Sequence, residues 1–182
     1  MRLTIPRIVP VVPGSEAETD RIPGPTANIT QTLVNHPVAT KAWLSWANYV
    51  LSDRNTLTTR HREIVILRTA FLCRAGYSWA HHTRIALAAS LTHAEIARIK
   101  LGAEVSGWSE AEKAVLRAAD DLHREQFVTQ LVWDQLAQHL SLRQCMDVVF
   151  SAAQYTSNAM ILNSFGVQLD PGLELDSDLA TF

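Results

Sequence analysis

Two short stretches hold the residue types able to do chemistry. One is Glu63, within Arg60-His61-Arg62-Glu63-Ile64-Val65-Ile66-Leu67-Arg68. The other is Tyr77-Ser78-Trp79-Ala80-His81-His82. A glutamate and a histidine brought together in apolar surroundings can pass a proton, because imidazole titrates near neutrality and burial tunes both groups. Cys73 lies between the stretches, and a thiol with a second thiol would instead pass electrons. The only cysteines are Cys73 and Cys145, each inside an apolar helical pattern, and they read as buried structural residues. There is no Cys-x-x-Cys and no His-Glu-x-x-His, and His81 and His82 are adjacent rather than one turn apart, so no metal site is expected. Neither a glycine-rich phosphate loop nor a Gly-x-Ser-x-Gly elbow occurs.

The elements that must position these residues read as helices. Pro37 can open a helix whose apolar positions include Val38, Trp43, Leu44, Ala47, Val50 and Leu51. Thr58 is a candidate N-cap for a helix carrying Glu63, with Ile64, Leu67, Ala70 and Phe71 at helical spacing. Ala75-Gly76 permits a break, and a second helix runs from Tyr77 to about Ala89. Thr92-His93-Ala94-Glu95 and Ser109-Glu110-Ala111-Glu112 are capping boxes. Gly102 closes the helix that the first of them opens. Thr129 to His139 and Ser141 to Phe165 complete the set, and no alternating strand pattern with hairpin turns is present. Leu57-Thr58-Thr59-Arg60 is echoed by Leu140-Ser141-Leu142-Arg143, a weak internal repeat that implies two similar helical hairpins. The expected fold is a single all-α bundle over residues 31–168. It is preceded by a proline-rich extended arm (1–30), which either wraps a neighbour or is a loose leader, and followed by a loose acidic tail (169–182).

Helical register sorts the candidates. At about 100° per residue, Ala75, Ser78, Trp79, His82 and Ala86 share a face, while His81 points elsewhere. Only one histidine of the doublet is then expected to face a given cleft. His82 is either a general acid/base or a partly buried histidine bonded to a backbone carbonyl. Glu63 either orients His82 or forms an ordinary ion pair with Arg60. Tyr155 and Asn158 share a face of the last helix, where they line a pocket or satisfy backbone groups, and Asn163 is a further polar group there. Asp120-Asp121 reads as a solvated face, or as a cap for a neighbouring helix.

Bulk composition narrows the function classes. A net charge of -2 gives no electrostatic footprint for nucleic acid. No apolar run approaches the roughly 20 residues needed to span a bilayer, and the first residues lack the apolar core of a signal peptide. Two cysteines cannot staple a secreted fold, so a cytoplasmic location is expected.

In order, Arg60-x-Arg62-Glu63, Tyr77-Ser78-Trp79-Ala80-His81-His82 and Leu91-Thr92-His93-Ala94-Glu95-Ile96 resemble the carboxymuconolactone decarboxylase family of the alkylhydroperoxidase D (AhpD)-like superfamily. The specific resemblance covers residues 57–102, and a looser one extends from Asn35 to Gly166. It implies an all-α fold and assembly as trimers or hexamers. It places Glu63 on the family's acidic position and His82, not His81, on its active-site histidine. The positions of the peroxidase branch's two cysteines are occupied by Ala75 and Ser78, and Cys73 lies two positions off register. Where the decarboxylase branch often has glutamate, this chain has Ser78.

The implied activity is a cofactor-free acid–base step on a small organic acid or lactone in catabolism of aromatic compounds: decarboxylation, lactone opening or isomerisation. In that reading His82 shuttles the proton and Glu63 sets its tautomer. Tyr77 and Trp79 form apolar walls, Ser78 hydrogen-bonds the substrate, and Arg68 or Arg74 holds a substrate carboxylate. An AhpD-type antioxidant protein and a non-catalytic ligand-binding protein are the competing readings.

Overall fold

Thr58, Thr92 and Ser109 each stand where the chain turns into a helix, and each hydroxyl accepts the backbone N–H three residues on. Thr92 with Glu95 and Ser109 with Glu112 are complete capping boxes. Ser141 with Gln144 is a third, the amide doing the work of the acid. The structure is a computed structural model that describes residues 3–11 and 27–180. Its helices are α1 (Asn28–Leu33), α2 (Pro37–Leu51), α3 (Thr59–Leu72), α4 (Gly76–Ala88), α5 (His93–Ile99), α6 (Glu110–Glu125), α7 (Gln130–His139) and α8 (Leu142–Phe165), followed by a 3-10 turn at Ser177–Leu179. No strand occurs among the described residues. None of their helices is long and apolar enough to cross a membrane.

Helix α3 is the axis of the bundle, packed by α4, α6 and α8. Every residue from Glu63 to Ala70 is buried, including Arg68 and Thr69. The run Ile64-Val65-Ile66-Leu67 is therefore apolar on all sides because it has neighbours on all sides. Ile64, Val65 and Leu67 join Trp79 of α4, Val115 and Leu116 of α6, and Val148 and Ala152 of α8 in the main core. The chain leaves α3 through a Schellman turn. Arg74 takes the left-handed conformation (φ 54°), Ala75 N–H donates to Ala70 C=O at 2.8 Å, and Arg74 N–H donates to Phe71 C=O at 3.0 Å. This turn folds α4 straight back along α3, so that residues 19 apart in sequence come opposite each other.

Arg68 serves this architecture rather than a substrate. Its Nε donates to Asp120 at 2.6 Å, and its Nη1 donates to Ile99 C=O and Lys100 C=O at 2.9 and 2.8 Å. It thereby satisfies the carbonyls that end α5. Gly102 packs against the same guanidinium: its φ is +87°, and a Cβ there would lie 2.9 Å from Arg68 Nη2. The expected substrate-holding role of Arg68 is corrected accordingly. Asp120 is its half-buried partner, and Asp121 caps α7 by accepting from the Thr129 N–H and hydroxyl.

Three further expectations change. Helix α1 begins at Asn28, inside the stretch read as helix-poor. Helix α8 continues unbroken through Tyr155, where the first copy of the echoed segment turns at Arg74, so the echo lies in the caps and in the packing of α3 on α8. The acidic tail is docked, not loose. Asp170 is hydrogen-bonded into the bundle, Asp176 and Asp178 pair with Lys100, and Leu179 is buried in the main core. Of the N-terminal arm, residues 3–11 lie on this chain itself. Arg7 N–H bonds Phe165 C=O and Val11 N–H bonds Gln31 C=O, both at 2.9 Å. The remainder of the arm lies outside the described residues.

Replacing Arg68 by Met strands Asp120 and two helix-end carbonyls. A stability loss of about 3 kcal/mol in urea unfolding is expected, with the helical circular dichroism of the folded protein unchanged. A loss under about 0.5 kcal/mol would contradict this role.

Candidate active site

Glu63 has no exposed surface. The ion pair with Arg60 considered from sequence does not form, because Arg60 reaches across to Glu95 and Glu112. Glu63 Oε2 instead lies 2.7 Å from His82 Nδ1. Its other oxygen is 3.8 Å from Arg62 Nε, an ion-pair distance too long for a hydrogen bond. On the far side of the ring, His82 Nε2 lies 2.7 Å from the Tyr155 hydroxyl, and the two rings meet edge to face. Burial and the Glu63 charge push the Tyr155 phenol well above its usual value, so it stays protonated. With a neutral imidazole, its O–H donates to Nε2, and the imidazole proton then lies on Nδ1, donated to the carboxylate. One residue each from α3, α4 and α8 makes a continuous hydrogen-bonded chain.

His82 and Tyr155 open on a cavity of about 180 Å³. Its walls are mostly apolar: Ala27 and Ile29 from the α1 end, Trp43, Ala47 and Leu51 from α2, and Leu162 from α8. Ser78 and Tyr77 also line it. Asn158 lines it too, its oxygen accepting from Trp43 Nε1 at 2.6 Å and from Gln154 at 2.9 Å, so it sets the position of the indole.

Two predicted wall and anchor residues lie elsewhere. Trp79 faces the core against Phe71, with Lys100 over its ring. Arg74 is exposed at the α3–α4 turn and does not line the cavity. The expectation that only one histidine of the doublet meets a given cleft is also corrected, because His81 and His82 both border this cavity. They sit to either side of the face defined by Ser78 and Ile85, and the cavity is wide enough to meet both.

A second polar group closes the cavity rim. Asp170, from the docked tail, accepts from the Tyr77 hydroxyl (2.7 Å), from His81 Nε2 (2.6 Å) and from the Asn28 backbone N–H (2.7 Å). It thus ties α1, α4 and the tail together. Burial drives the Tyr77 phenol far above its usual value, with help from Asp170. Burial also holds His81 below the usual histidine value, outweighing the pull of Asp170 in the other direction. Sequence reasoning missed Asp170 and Trp43. Asp170 carried a faint signal, a lone acid beside Pro171-Gly172 in a segment otherwise read as unstructured.

Cys73 borders a separate cavity that Arg7, Met160 and Asn163 help to line, and its Sγ lies 3.6 Å from His123 Nδ1. Cys145 is buried, and burial raises its thiol. Among the described residues, no three His, Cys, Asp or Glu side chains are grouped to hold one metal ion.

Residues 37–121 match the carboxymuconolactone decarboxylase family. No match was found among curated proteins. Several solved structures share the fold. A protein of unknown function from Agrobacterium tumefaciens, provisionally described as the antioxidant defence protein AhpD, has a TM-score of 0.70 at 19% identity, covering 76% of this chain and 94% of that one. A peroxidase-related protein with an AhpD core from Ralstonia eutropha JMP134 has a TM-score of 0.71 at 17% identity, covering 79% and 77%. The debrominase Bmp8, as a cysteine-to-alanine variant with 2,3,4-tribromopyrrole, has a TM-score of 0.68 at 15% identity, covering 78% and 76%.

Burial also lowers His61, so the folded chain holds His61 and His81 neutral where the unfolded chain would protonate them. The stability this gives is fully present above the unfolded value of about 6.5 and is lost as pH falls through the folded values. Urea midpoints are expected to fall between pH 7.5 and 5.5, with a shallower fall in His81→Gln. A midpoint that is flat or rises on acidification contradicts the assignment.

Proposed function

We propose that this chain, a member of the carboxymuconolactone decarboxylase family, is an acid–base enzyme acting on a small organic acid or lactone. The reaction would be a decarboxylation, a lactone opening or a double-bond isomerisation. The observation that carries the reading is the Glu63–His82–Tyr155 path ending in an apolar cavity. A substrate oxygen entering that cavity can take the Tyr155 O–H from His82 Nε2. The freed Nε2 then becomes the base, and the Glu63 carboxylate stabilises the imidazolium formed. In an isomerisation His82 takes a proton from one carbon and returns it to another. In a lactone opening it takes a proton from a water that adds to the carbonyl, and returns it to the ring oxygen as the acyl C–O bond breaks. In a decarboxylation carbon dioxide leaves and a proton is delivered to the remaining carbanion. Oligomerisation is part of the proposal: Leu142, Met146 and Phe150 form an exposed apolar stripe at four-residue spacing along α8.

One observation favours a second reading, an antioxidant protein: the Cys73 thiol stands beside the His123 imidazole, an arrangement that can activate a thiolate. Cys73→Ser abolishes peroxide reduction if that reading holds and leaves acid–base turnover intact if the first holds.

In a screen of organic acids and lactones, His82→Ala is expected to lower turnover about 10²–10⁴-fold on the substrate found. Tyr155→Phe lowers it in the same direction, and both variants keep the helical circular dichroism of the parent. Unchanged turnover in His82→Ala would sink the acid–base assignment.

A further inference from the structure

Resting on the reading of this cavity as the substrate site, we infer that its substrate is a neutral, ring-sized carbonyl compound such as a lactone or cyclic enone, and not a carboxylate.

Size comes first. A cavity of about 150 Å³ accommodates benzene. The roughly 180 Å³ found here therefore suits one ring with one or two small substituents. Charge decides the rest. Among the described residues, none of those lining the cavity is lysine or arginine. Arg68 is committed to Asp120 and the α5 carbonyls. Arg62 stands behind Glu63, donating to Ser52 C=O, and does not line the cavity.

Two carboxylates flank the reacting groups, and the cations beside them, Arg62 next to Glu63 and Arg84 near His81, do not line the cavity. Glu63 lies behind His82, and Asp170 sits at the rim holding Tyr77 and His81. Burial lowers His81 from the usual histidine value, which favours its neutral form at pH 7.5. A carboxylate in this space would lose its hydration and face two carboxylates with no lysine or arginine among the described lining residues to pair with. A neutral carbonyl needs only a hydrogen bond, and the Tyr155 O–H supplies it. The Ser78 hydroxyl lies on the same wall. Decarboxylation is then removed from the three candidate steps, since a ring without a carboxylate has no carbon dioxide to lose. Lactone opening, in which water adds to the carbonyl and the ring C–O bond breaks, and double-bond isomerisation remain, and His82 can serve either as acid and base.

Benzamide and benzoate separate the possibilities, because they match in shape and differ in charge. Calorimetric titration of the full-length protein at pH 7.5 is expected to show benzamide binding at least about thirty-fold more tightly than benzoate. Ile85 lines the cavity at its half-open edge and is 39% exposed, so a lysine there is tolerated with its ammonium at the rim. Ile85→Lys is expected to improve benzoate binding at least tenfold relative to benzamide. Equal binding of the two by the parent protein, a preference for benzoate, or no binding of either overturns the inference. Such a result leaves the proton-transfer reading standing, because that reading is judged by the turnover of His82→Ala.

Discussion

A carboxylate with no exposed surface must be given hydrogen-bond donors by the fold, and Glu63 receives its donor from His82. That one contact constrains the rest of the structure. Helix α3 is buried on every side, so the partner has to come from a helix packed directly on it. The Schellman turn at Arg74 supplies α4 at the required height. Arg60 would be the default partner one turn away, but Glu95 and Glu112 engage it, each also serving a capping box. Those two boxes thus do more than start helices: they remove the competing cation and leave Glu63 for the imidazole.

The far nitrogen of His82 is fixed with equal economy. Helix α8 crosses α3 and brings Tyr155 to Nε2. The same burial that keeps the phenol protonated makes it a donor in the resting state and a proton source when a substrate oxygen replaces the imidazole. Asn158, one turn further along α8, holds Trp43 as the opposite wall. The rim is a separate piece of construction. Asp170 fastens the tail and α1 over His81 and Tyr77, so the cavity is completed by segments distant from its centre in sequence.

Much of the frame was legible in the sequence because caps and helical spacing are local signals. Thr58, Thr92 and Ser109 open helices where their residue types require. Glu63 and His82 were selected by their chemistry and family position, and their contact follows from a turn that Ala75-Gly76 only permits. What was not legible depends on partners far along the chain. Arg68 looks like a free cation until Asp120 and the end of α5 are placed beside it. Trp79 and His81 were misplaced because an ideal wheel locates side chains relative to one helix, whereas the cavity is bounded by α1, α2 and α8 as well. The tail reads as loose from its prolyl-glycine break and acidity, yet Asp170, Asp176 and Asp178 each meet a donor that belongs to another element.

The most direct measurement is the ¹⁵N NMR spectrum of the His82 imidazole in the folded protein at pH 8. With Tyr155 donating to Nε2 and Glu63 accepting from Nδ1, the spectrum must show a neutral ring carrying its proton on Nδ1. Removing the Tyr155 hydroxyl should move the Nε2 resonance while Nδ1 stays bonded. A ring protonated on Nε2, or an Nε2 resonance indifferent to loss of that hydroxyl, would contradict the proton path on which the functional reading stands.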